Sequence, residues 1–121
     1  MIEDLNMNEL VYNKLTSICK CVAGYPREWN TLPIISYQLE TCECAQKCDG
    51  EEFTTRFVYL LNLFLPVSAS DFEYTKQVDY AMSSLGFKRD QLTYLNEGEG
   101  IHIVFRYTVY VNKYFYAHTS L

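Results

Sequence analysis

Positive charge is scarce in this chain of 121 residues: ten Lys and Arg stand against fifteen Asp and Glu, for a formal charge of −5. Grooves that hold nucleic acid cluster cations to displace counterions from phosphate, so this balance argues against nucleic-acid binding. Long apolar runs are missing too. The longest, residues 57–67, is broken by Asn62 and Pro66 and falls short of the roughly 20 residues of a membrane-spanning helix. The opening Met1-Ile2-Glu3-Asp4 is acidic and lacks the basic-then-apolar order of a secretory signal, so a cytosol-made chain is expected. Only two histidines occur, His102 and His118, and neither has a Ser, Cys or carboxylate nearby in a nucleophile or base pattern. There is no glycine-rich phosphate loop, no metal-binding histidine pair and no dinucleotide fingerprint. These absences point away from an enzyme and from a bound cofactor.

What is present is enough apolar material for one core. At 121 residues, with 49% hydrophobic and 21% charged residues, the chain reads as a single domain, 1–121, with 112–121 as an extended C-terminal arm. Eleven Tyr, seven Phe and one Trp make 16% of the chain, a surplus typical of contact surfaces as well as cores. Five cysteines, an odd number, suit a reducing compartment. Cys19-x-Cys21 and Cys42-x-Cys44, with Cys48 nearby, offer thiolates of the kind zinc takes. Yet one intervening residue on a strand sets two sulfurs side by side instead of in a chelating turn, so no metal is expected.

Local patterns give an element order. Asn6 followed by Glu9 resembles a capping box, and Met7, Leu10, Val11, Leu15 and Ile18 recur at helical spacing, which predicts a helix over 6–17. Gly24, Pro26 and Pro33 break the next stretch, in which residues 19–22 offer a short strand. From Ile34 the alternation is clean: Ile35, Tyr37 and Leu39 share one face, and Ser36, Gln38, Glu40 and Cys42 the other. Asp49-Gly50 suits a tight turn, within a polar run over 43–52, and residues 53–65 then return antiparallel. Ser70-Asp71-Phe72-Glu73 is a capping box opening a second helix, with Tyr74, Val78, Ala81, Met82 and Leu85 on its stripe and Gly86 as its stop. Residues 91–96 and 101–111 read as strands around a Glu97-Gly98-Glu99-Gly100 loop, with His102 on the solvent side. The expected architecture is therefore α+β in two layers: helix, strand, strand, helix, strand, strand, with a mainly antiparallel sheet of about four strands and helices on one face.

Strand parity then singles out a surface. If helices cover the odd positions of 53–65, then Val58, Leu60 and Phe64 lie on the opposite face beside Val104 and Tyr110, interrupted by Arg56 and Arg106. A lone monomer is expected to leave these wet, which makes them candidate subunit contacts.

Three segments and a strand carry a resemblance. They are Leu10-Val11-Tyr12-Asn13-Lys14-Leu15 in the first helix, Leu32-Pro33-Ile34-Ile35-Ser36-Tyr37 leading into the hairpin, Met82-Ser83-Ser84-Leu85-Gly86-Phe87-Lys88-Arg89 at the second helix stop, and the strand 101–111. In order and spacing, over most of the chain, they resemble the tail-completion or tail-terminator proteins of long-tailed bacteriophages, small α/β proteins at the top of the tail tube. The resemblance implies a homo-oligomer, a hexameric ring that stops tube growth and joins tail to head, with the tail-tube protein and the head-connector protein as partners. It implies no cofactor and no catalytic residues, a place in the virion tail at the head-tail junction, and assembly in the host cytoplasm. That family has no residue signature to carry over, so the contact residues rest on parity alone. A tail-tube or neck protein is the near alternative; a monomeric adaptor or ligand-binding module with an aromatic surface is the alternative of a different class, and an enzyme the third.

Overall fold

The computed structural model describes residues 6–24, 32–48, 51–97 and 100–112, with side chains at all of these except 46–48, 51–53, 96 and 97. The turn at Asp49-Gly50, the loop at Gly98-Glu99 and the arm expected beyond 112 lie outside the described residues. The elements are α1 (Met7–Leu15), β1 (Lys20–Ala23), β2 (Ile34–Cys48), β3 (Glu51–Pro66), α2 (Asp71–Ser84), β4 (Lys88–Glu97) and β5 (Gly100–Asn112). No helix among the described residues is long and apolar enough to cross a membrane.

Both helices are bounded by local chemistry. Asn6 caps α1, its side-chain oxygen accepting from the Glu9 amide at 3.1 Å, and Met7, Val11 and Leu15 form the buried stripe. Ser70 caps α2 in the same way, accepting from the Glu73 amide at 3.4 Å, and Val78, Ala81 and Met82 are buried. At the far end Gly86 takes φ +95°, a region that favours glycine. Its amide donates to the Ser83 carbonyl at 3.0 Å and the Phe87 amide to the Met82 carbonyl at 3.1 Å, the paired bonds of a Schellman stop. Phe87 then joins Met82 in the core.

The strands form one sheet in the order β1-β2-β3-β5-β4. Chain order and sheet order differ because α2 carries the chain past β5 to the far edge, and β5 then returns between β3 and β4. Register aligns the odd positions of the two central strands, Tyr59 with Tyr107, Leu61 with Phe105 and Leu63 with Ile103. These side chains and both helix stripes make one core cluster, so the helices lie on a single face.

The sheet corrects the expected four-stranded, mainly antiparallel arrangement. It has five strands and is mixed, because Lys20–Ala23 pairs parallel to β2, from Lys20 with Ile34 to Ala23 with Tyr37. Four residues with a single buried side chain, Cys21, are too short to show an alternation, and parallel pairing depends on a crossover that no local pattern reveals. Register shifts move the strand faces as well. Glu40 is an extra residue between the pairs Leu39–Tyr59 and Thr41–Val58, so parity reverses there and Cys42, opposite Phe57, packs against the helix-side core. Its expected place beside Ser36 and Gln38 is thereby overturned. Asp90 plays the same part in β4, between Arg89–Tyr107 and Gln91–Arg106.

Candidate functional site

The seven proposed contact residues share the sheet face away from the helices, but they divide by exposure. Val58 is 0% and Phe64 3% exposed within one chain, so the expectation that a lone monomer leaves them wet is corrected: neither has surface to offer a neighbour. Leu60, Val104 and Tyr110 are half-buried, and Leu95, opposite His102 and so on the same face, is exposed. Arg56 and Arg106 are held at the surface by carboxylates, Arg56 by Glu43 at 2.7 Å and Arg106 by Glu40 at 2.9 Å. The Glu43 contact helps hold the Arg56 guanidinium in its charged form, raising it above its ordinary value. Arg106 reaches from β5 over β3 to β2 and lies opposite Leu60 in the ladder, while its Nε is buried with no hydrogen-bond partner. The structure thus leaves Leu60, Val104, Arg106, Arg56 and Tyr110 half-buried on one sheet face and withdraws Val58 and Phe64 from solvent.

His102 is not on the solvent side. It is buried, stacked on Phe64 with ring centroids 4.3 Å apart, and its Nε2 lies 2.8 Å from the Asn62 side-chain oxygen. Ser36, buried opposite Asn62, carries a hydroxyl with no hydrogen-bond partner among the described residues. Residues 62 and 102 form a polar tie between the central strands.

The helix face holds two further polar ties. Tyr107 donates its hydroxyl to Asp79, which is also paired with Arg89 at 2.6 Å, so α2, β4 and β5 meet at one carboxylate. Burial, helped by that hydrogen bond, pushes the Tyr107 phenol well above its ordinary value, so it stays protonated and fixed as a donor. Tyr59 likewise donates to Asn8 on α1, and burial raises its phenol. Sequence reading missed both ties. Their signal was a tyrosine at core parity, because a buried phenol needs an acceptor.

Among the described side chains, Cys19 and Cys21 stand apart from Cys42. Burial pushes the Cys19 thiol up to about 11 and the Cys21 thiol up to about 12, opposite to what a metal ligand or nucleophile requires. Cys21 lies opposite Ile35, and Cys42 stands seven residues further along β2, roughly 20 Å away at the rise of a strand. Among the described residues no three His, Cys, Asp or Glu side chains gather as a metal site.

Sequence reading also passed over the outer surface of α2. Tyr80 is 78% and Phe72 65% exposed, with the Lys76 ammonium 5.6 Å from the Phe72 ring centre. A hollow of about 400 Å³ opens on the α1 side of Lys76 and Tyr80, and one of about 500 Å³ on the β4 side, over Arg89 and Tyr107. No protein-family model matches the chain, and no curated protein matches it.

Proposed function

We propose that this chain is a structural subunit of a phage tail, assembling head to tail with copies of itself into a ring that ends the tail tube and joins it to the head. The observation that carries the reading is the set Leu60, Val104 and Tyr110, half-exposed on the face away from the helices, with the Arg56–Glu43 and Arg106–Glu40 pairs among them. Apolar and tyrosine side chains mixed with arginines are a composition that subunit contacts favour. The outer edge of β4 supports it: among the described residues β4 pairs with β5 alone, so a ten-residue strand edge remains for a neighbour. A contact between two different patches of identical subunits closes into a ring when its rotation completes a turn. The resemblance in element order points to the tail-tube and head-connector proteins as the ring's two neighbours.

Light scattering after size exclusion tests this on the full chain. The wild type is expected at a fixed multiple of the chain mass, visible as rings in negative stain, and Leu60→Asp at the mass of one chain with native circular dichroism. A wild type that stays monomeric when concentrated overturns intrinsic ring formation. A Leu60→Asp variant that still assembles moves the contact off this set of residues.

A further inference from the structure

Among the described residues the sheet has two outer edges, and they are built differently. One is β1, four residues with Lys20 exposed; beyond Tyr37 it gives way to β2, whose ladder is interrupted by register shifts at Glu40 and on either side of Gln46. Shortness, charge and irregularity are the features that keep an edge from pairing with another chain. The other edge is β4. From Gln91 to Glu97 it follows β5 without a register shift, and residues 91–96 include no charge, proline or glycine. Tyr94 is 54% and Leu95 37% exposed, and Gln91 is exposed as well. Parity divides these side chains between the two faces. Leu92 and Tyr94, opposite Phe105 and Ile103, lie on the helix side; Gln91, Thr93 and Leu95 lie on the other, where the Gln91 amide donates to the Thr93 hydroxyl at 3.2 Å.

We propose that β4 pairs antiparallel with β4 of a second copy about a two-fold axis at Thr93, continuing the sheet from one chain into the next. The run is complementary to itself. Centred there, Thr93 meets Thr93, Leu92 meets Tyr94 and Gln91 meets Leu95, so each face of one sheet continues the same face of the other. Threonine pairs and aromatic–aliphatic pairs are favourable across antiparallel strands. A shift of the pairing by one residue sets Asp90 opposite Glu97, two like charges. The other edge of a second copy is the poorer partner, because it is short at β1 and irregular along β2. A two-fold contact is isologous and ends at two copies, so it is separate from the head-to-tail contact proposed above and does not depend on it; between rings, it would join two of them. The paired run is short and buries less than the roughly 1,200 Å² of a stable interface, so the pairing belongs to concentrated protein.

Sedimentation equilibrium on the concentrated full chain tests this. Thr93→Lys and Thr93→Glu each set like charges face to face on the axis, and each should sediment at half the wild-type mass. Mixed in equal amounts, the two variants should recover the wild-type mass, because lysine then meets glutamate, and about 0.5 M salt should weaken that recovery. Thr93 is half-buried on an outer strand, so both variants keep native circular dichroism. The halving is expected whether the wild type is a pair of rings or a pair of chains; a wild type of two chains supports the pairing while removing the ring. An unchanged mass in either variant overturns the proposal, as does a wild type that sediments as one chain. So does a mixture that stays at half the mass, which shows that Thr93 does not face its own copy. A fall from more than two chains to one also overturns it and moves β4 into the ring contact.

Discussion

Leu60 and Leu61 are neighbours in β3 that face opposite sides of the sheet, and aspartate at each should have very different effects. Leu61 is 0% exposed, between Tyr37 of β2 and Phe105 of β5, within the core cluster that the helices cover. Losing its burial costs about 2–3 kcal/mol. A carboxyl group there must also stay neutral; holding it protonated at pH 7 against an unfolded value near 3.9 adds about 4 kcal/mol. The sum, about 6–7 kcal/mol, exceeds the lower end of the roughly 5–15 kcal/mol that holds a domain of this kind together. Leu60 is half-buried opposite Arg106, so an aspartate there keeps water and gains a cation, and about 1 kcal/mol is expected. Urea unfolding followed by circular dichroism measures both. The sign also predicts a pH dependence: the carboxyl introduced by Leu61→Asp has its folded-state value raised, so its penalty is smallest below about pH 4 and grows as pH rises toward that raised value. Leu61→Asp should therefore recover part of its stability in acid, relative to wild type at the same pH. A Leu61→Asp midpoint equal to wild type at pH 7, or Leu60→Asp as the unfolded variant of the two, would refute the assignment of the sheet faces.

Ser70→Ala removes the acceptor for the Glu73 amide and should cost about 1 kcal/mol in a urea titration; an unchanged midpoint means that α2 does not depend on this cap. Gly86→Ala forces a Cβ into φ +95° at the end of α2 and should cost about 1–2 kcal/mol, whereas Ser83→Ala on the exposed side of that turn should be near neutral. Above neutral pH, the Cys21 thiol, raised from 9.0 to about 12, and the Tyr59 and Tyr107 phenols, raised above 10.0, all favour the protonated folded state. That contribution is complete below the unfolded values and is lost as pH climbs through the raised ones, so the urea midpoint should fall from about pH 9 upward. A midpoint that stays flat to pH 11 removes the premise that these groups are buried.

Some of this architecture was decided by neighbours in sequence. The caps Asn6 and Ser70 and the Gly86 stop act within a few residues of themselves, so spacing alone located α1 and α2. The core parity of β3 and β5 was legible for a similar reason: both are central strands with one face wholly apolar, from Phe57 to Leu65 and from Ile103 to Val111. The same parity placed Arg56, Leu60, Val104, Arg106 and Tyr110 on one face, as the register has them.

Tertiary structure decided what depends on partners distant in the chain. Residues 19–22 offered a short strand, but that β1 joins the sheet parallel to Ile34–Tyr37 is not specified within Lys20–Ala23. One extra residue at Glu40 turned Cys42 toward the helices, and a bulge leaves no period-two signature of its own. The second sheet face was the largest departure. Alternation shows which side chains share a face but not whether that face is open, so Val58, Phe64 and His102, read as exposed, are buried within the chain itself. The hollow of the helix layer follows the same logic: Lys14 and Lys76 are 62 residues apart, and only the packing of α1 beside α2 sets them, with Glu73, around one hollow.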